Sequence, residues 1–219
     1  MLKNLELSCL LWEIGLRGML KNYVLVDYEN VQPLAESLDE VADEQFSVFV
    51  FVGNSQNRLS YDFVSSFQRL RGGGEYIKIS GNGKNALDFH IACYLGVLAM
   101  KDPKAYFHVV SKDTGYDPLL EHLREKTIRV KRVAAIEGIP VVKFRKEISK
   151  MNPRQKGEKF LARLRKGNAS RPASEQAMRS ALRAFYQRQL SDEEFEQVLR
   201  FVKNSEFVSI ADGKVAYAE

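Results

Sequence analysis

Four short apolar runs constrain this chain more than anything else in it: YVLVD (23–27), SVFVFVG (47–53), EYIKIS (75–80) and AYFHVVS (105–111). They are rich in β-branched and aromatic residues and lack a sustained polar alternation, the pattern of strands buried on both faces. A fifth strand is expected near IRVKRVA (128–134), and IPVVKF (139–144) reads as a further extended stretch. The segments between them have helical spacing. In KNALDFHIACYLGVLAM, Leu87, Ile91, Tyr94, Leu95 and Leu98 share one face, while DPLLEHLREK opens with Asp117 in a capping position and Pro118 in the first turn. Strands alternating with helices predict crossover connections and a parallel sheet covered on both sides, a three-layer α/β/α fold. In such sheets functional groups collect beyond the carboxyl ends of the strands, where the strand order reverses.

With 219 residues, 45% of them hydrophobic, the chain has material for one well-packed domain and a smaller one. Its two cysteines, Cys9 and Cys93, make no disulfide framework, and no Cys/His cluster suits zinc, so a reducing, cytoplasmic compartment is expected. No apolar run has membrane-spanning length. Residues 1–18 have a short apolar centre broken by Glu6 and Glu13 and no small-residue cleavage site, so a secretory signal is not expected. MLKN recurs at 19–22, and residues 1–20 read as an extension ahead of the first strand.

Charge is uneven. The formal total is +5, yet sixteen basic and only four acidic residues lie between Arg124 and Arg171, giving +12 there and −7 elsewhere. A basic tract beside an acidic remainder suits a polyanion steered toward a carboxylate site, or else a solvated linker with a charged helix. Residues 147–172 read as a basic linker between a domain at 21–146 and a small module at 173–219. In that module Met178, Ala181, Leu182 and Phe185 form one stripe. Ser191 and Glu194 form a capping box ahead of a second stripe, Phe195, Val198, Leu199 and Val202. Asp212-Gly213 between two alternating runs predicts a hairpin. Two helices and a hairpin suggest a winged-helix-like module.

Four aspartates fall at the predicted carboxyl edge of the sheet. Asp27 ends the first strand, Asp88 lies one turn into the helix after the third, Asp113 follows the fourth, and Asp117 starts the next helix. Carboxylates gathered within a few ångströms repel one another unless a cation joins them, and oxygen-only ligands suit Mg²⁺ or Mn²⁺. Each also has a purely structural reading: Asp117 as a cap, Asp88 in a capping box with Asn85, Asp113 as a turn residue. Asp27 is hardest to explain that way, because an acid ending a buried strand needs a partner. Asn30 is a candidate hydrogen-bonder to substrate, or a helix cap. Lys84 and Lys112 are candidate phosphate contacts. Glu29 would alternate away from Asp27 in a continuing strand and is left out.

YVLVDYENVQ, GNGKNALDFHIACYLG and VVSKDTGYDPLLEHL resemble, in order and spacing, the PIN-like nucleases, especially the bacterial branch related to NYN domains, over residues 21–146. The resemblance implies a metal-dependent phosphodiesterase acting mainly on RNA, with Asp27, Asp88 and Asp113 as the Mg²⁺- or Mn²⁺-binding core. Asp117 would be a fourth, more variable acid and Asn30 the family's asparagine after the first strand. Related sequences often place the last two acids two residues apart; here they are four apart.

Other classes share parts of the pattern. Gly81, Gly83 and Ala86 have dinucleotide-binding spacing, but after the third strand, with Asp88 placed where a pyrophosphate should bind. A P-loop fails at Lys78 and Asn85, and a haloacid-dehalogenase-like site fails at Glu29. A non-catalytic nucleic-acid-binding protein is the strongest rival. Partners are expected to be nucleic acid, RNA before DNA, with a homo-oligomer or protein contact through the carboxy-terminal module and no membrane.

Overall fold

The computed structural model describes residues 20–81, 83, 85–166, 171–186 and 189–218. They divide into two units, with the boundary between Lys143 and Phe144.

The first unit is built on five parallel strands, β1 (Asn22–Asp27), β2 (Phe46–Val52), β3 (Gly74–Lys78), β4 (Tyr106–Val110) and β5 (Arg129–Val133), in the order β3-β2-β1-β4-β5. The order reverses between β1 and β4, so that is the switch point. Alternate side chains feed two cores. Val24, Val26, Val48 and Val50 face α1 (Ala35–Asp39) and α2 (Tyr61–Gln68) on one side. Leu25, Phe51, Phe107 and Val109 face α3 (Ala86–Lys101) and α4 (Asp117–Glu125) on the other. Both faces being covered explains the near-continuous apolar runs, and the three-layer α/β/α expectation holds. The strand after α3 is β4, so α3 carries the chain from the edge strand β3 across to the far side of β1, touching β1 and β2 on its way. That crossing brings its first turn, with Asp88, over the centre of the sheet.

IPVVKF is not extended. Pro140 opens α5 (Pro140–Ser149), in which Val141 and Val142 are buried. Two adjacent valines mimic a strand run, but proline fits the first helical turn, and the apolar spacing continues through Phe144 and Ile148.

The second unit joins the end of α5 to α6 (Pro153–Arg165), α7 (Glu175–Phe185), α8 (Asp192–Lys203) and the antiparallel pair β6 (Val208–Ala211) and β7 (Lys214–Tyr217). Asp212 and Gly213 form the turn with φ 51° and 72°, as the hairpin signal required. Residues 147–172 are not a plain linker. Asn152 and Gln155 make a full capping box for α6, whose Phe160, Leu161 and Leu164 enter the core of this unit. Lysines and arginines on its outer positions mask that stripe in the sequence. The Ser191–Glu194 box is half formed: Ser191 caps α8, but the Glu194 carboxylate pairs with the buried Lys156. A carboxylate that neutralises a buried ammonium is worth more there than on an exposed amide. Residues 1–19 and 167–170 lie outside the described residues.

No helix among the described residues is long and apolar enough to cross a membrane.

Candidate metal and phosphodiester site

Asp27 ends the central strand and is 1% exposed. The strand stops there because the Val31 amide turns back to the Asp27 carbonyl. Within the turn, the Asn30 amide donates to Asp27 Oδ1 (3.1 Å) and Asn30 Nδ2 to Oδ2 (2.9 Å). From the neighbouring strand end, the fully buried Ser111 donates its hydroxyl to Asp27 Oδ2 (2.8 Å) while accepting from the Asp113 amide (3.0 Å). The buried carboxylate is thus satisfied by neutral donors from two strands, with no basic side chain paired to it among the described residues.

Asp88 and Asp113 reach the same place from other segments. The buried Tyr116 hydroxyl donates to Asp88 Oδ1 (2.6 Å) and lies 3.5 Å from Asp27 Oδ2, standing between the two carboxylates. Its pKa is driven far above the ordinary phenol value. Burial comes first, then the hydrogen bond to Asp88, then the charges of Asp27, Asp88 and Asp113. Asp113 is half-buried and accepts from the Gly115 amide (2.7 Å), so it is also the turn residue its position suggested. Asn85 adopts φ 61° and makes no side-chain cap, so Asp88 closes no capping box. Its carboxylate goes to Tyr116 instead.

Asp117 differs from expectation. It is the first residue of α4 but forms no cap; both its oxygens are held by Arg132, Nε at 2.7 Å and Nη2 at 2.9 Å. The Arg132 hydrogen bond and charge hold its carboxyl below the usual range. Arg132 Nη1 also donates to the Ser111 carbonyl (3.2 Å), so the pair braces the loop that carries Asp113. The four-residue spacing is what lets Asp117 turn toward β5. If bracing is its role and the site cuts nucleic acid, Asp117→Asn is expected to lower cleavage less than about tenfold, and Asp113→Asn by at least about a hundredfold. Steady-state rates of the two variants separate these outcomes.

Glu29, Asn30, Asn54, Ser55, Asp88 and Asp113 line an open cleft of about 490 Å³ above this cluster. Glu29 is a residue that strand alternation misplaced: β1 ends two residues earlier, so alternation no longer applies. The Glu29 carboxylate lies over Gly53, where a β-carbon would collide with it. Ser111 and Tyr116 were also missed. The available signal was a hydroxyl ending the fourth predicted strand, and an aromatic residue with a polar tip between two acids. Lys112 is exposed beside Asp113, and Lys84 lies outside the described residues. Of the sixteen basic residues in the 124–171 tract, Arg132, Arg154, Lys156 and Lys159 are held in internal ion pairs.

The donors are all oxygen and acidic, a set that fits a hard dication. Among the described residues no three His, Cys, Asp or Glu side chains stand close enough to hold an ion. The glycine-rich loop follows the edge strand β3 instead of β1, and its Gly81 and Gly83 line the same cleft as Asp88 and Asp113.

A parallel sheet with carboxylates at its switch point is an α/β fold whose candidate site lies where such sheets bind their ligands. More specifically, residues 21–133, over half of the chain, match the PIN domain, and the chain belongs to that family. PIN domains are usually metal-dependent nucleases. No curated protein and no solved structure matches the chain.

Proposed function

We propose that this protein is a metal-dependent ribonuclease. The observation that carries the reading is the approach of Asp27 and Asp88, from separate segments, to the one Tyr116 hydroxyl, with Asp113 near enough for its charge to act on that group and with no basic partner on the three among the described residues. Asp27 is the fixed member, oriented by Asn30 and Ser111. Asp88 and Asp113 complete the set for Mg²⁺ or Mn²⁺ by turning from Tyr116 and Gly115. Bound there, such an ion supplies charge neutralisation at the phosphate and an activated water. Glu29 adds negative charge at the mouth, while the exposed Lys112 contacts a phosphate of the substrate. Asn30, already tied to Asp27, positions the carboxylate more than it reads substrate. RNA is favoured over DNA by the likeness of the three motifs to NYN-related nucleases. A cytoplasmic location accords with the cysteine usage.

A second reading has its own support: the hydrogen-bonded carboxylates are compatible with a protein that binds nucleic acid and does not cut it. We read the carboxy-terminal unit as winged-helix-like. The first turn of α8 holds Asp192, Glu193 and Glu194, which repel phosphate and favour a protein partner there.

The test incubates matched single-stranded RNA and DNA with the protein in Mg²⁺, Mn²⁺ or chelator. The expected result is RNA cleavage that chelator abolishes. Salt-sensitive binding with no cleavage in either metal would establish the second reading.

A further inference from the structure

α3 has two apolar faces, and the sheet uses one. Leu87, Ile91, Leu95 and Leu98 are buried against β1 and β2. On the opposite side lie Phe89, Ala92, Cys93, Gly96, Val97 and Met100, at spacings of three and four. Phe89 is 69% exposed, Val97 59% and Met100 87%. No Asp, Glu, Lys or Arg interrupts the helix between Asp88 and Lys101. A helix apolar all round is ordinarily covered all round.

We propose that this face is a homodimer seam, closed by the same face of a second copy packed antiparallel to it. The face matches itself under a twofold rotation. About a midpoint between Tyr94 and Leu95, Phe89 is related to Met100, Ala92 to Val97 and Cys93 to Gly96. Large residues therefore meet at both ends and small ones at the centre. An isologous contact requires this reciprocity, each residue and its counterpart exchanging roles across the axis. Phe89 of one copy lies level with Met100 of the other, an aromatic–thioether contact. The space above Gly96 is open, so the helices can approach closely at the middle.

The size is adequate. With large side chains covering roughly 150–250 Å² each, the exposed part of the stripe is on the order of 500 Å² per copy. Two copies then remove about 1,000 Å² before any rim is counted, the lower bound for a specific interface.

Antiparallel packing also sets the two Cys93 residues near the axis. At an interaxial distance of about 8 Å, their Cα atoms fall roughly 6 Å apart, within disulfide range. Because Cys9 is the only other cysteine, Cys9→Ser makes Cys93 a single reporter. The full-length Cys9→Ser chain is weighed by sedimentation equilibrium and then oxidised with copper phenanthroline. The expected results are a species of twice the 25.0 kDa chain mass and a covalent dimer through Cys93. Adding Val97→Glu or Met100→Lys, both on exposed positions, should shift the equilibrium to monomer by at least about tenfold and suppress the cross-link. A monomeric mass up to about 100 µM overturns the proposal. So does a dimer that survives both substitutions and does not cross-link at Cys93.

Discussion

Asp27→Asn is expected to reduce metal-dependent cleavage by about three orders of magnitude and to destabilise the fold as well. The activity loss follows from removing the one carboxylate that every other part of the site is built around. Loss of a single preorganised electrostatic contact commonly costs 10²–10³ in rate, and under the proposed function this one would also position the cation. The stability loss has a separate cause. Asn30 and Ser111 offer hydrogens to both oxygens of Asp27, with Asn30 Nδ2 and Ser111 Oγ sharing Oδ2. An amide puts its own hydrogens toward one of those sets, leaving buried donors facing donors. At about 1–3 kcal/mol for each unsatisfied buried group, the loss is about 3 kcal/mol. Asp113→Asn, on a half-buried side chain with one backbone partner, should lose cleavage with little change in melting temperature. Asp27→Asn retaining most of its cleavage would remove the aspartate cluster from the mechanism.

The second large effect is acid sensitivity through His108. This side chain is buried in β4, with Nε2 hydrogen-bonded to Asn22 Oδ1 (3.0 Å) and Nδ1 without a partner among the described residues. Burial, helped by the charge of Lys131, lowers its pKa from 6.5 to about 3. Unfolded chains therefore bind a proton below pH 6.5 that the folded protein refuses until pH 3, so stability falls as pH drops through that window. At 1.36 kcal/mol per pH unit, going from pH 7.5 to 4.5 costs about 3 kcal/mol from this residue. Urea denaturation at the two pH values should show that decrement, and His108→Leu should be less acid-sensitive than the wild type by about the same amount. Equal pH dependence in both proteins would mean that the imidazole takes up its proton within the fold.

The centre of the sheet was legible because both faces of β1, β2 and β4 are largely buried, which writes those strands as nearly unbroken apolar runs. Asp27, Asp88 and Asp113 could be placed at the carboxyl edge from sequence because strand ends and helix starts locate that edge. Failures came where a local pattern had two meanings. Val141-Val142 serves a helix as well as a strand, and the charges of α6 hide Phe160, Leu161 and Leu164. Asp117 could be placed at a helix start, but its pairing with Arg132 depends on β5 lying beside β4, a fact of topology. Ser111 and Tyr116 act on Asp27 from more than eighty residues away in sequence, and no short window contains that relation.

The position of Tyr116 bears on the order of events in the life of the chain. Metal-binding modules that fold only on loading leave their carboxylates or thiolates unreconciled until the ion arrives. Here a phenolic proton lodged between two acids does part of that reconciling from within. Under the proposed metal-dependent function, the polypeptide would reach its native shape first and take up an ion afterwards, so scarcity of the ion would silence the protein while leaving it intact, a reversible idleness in place of unfolding and degradation.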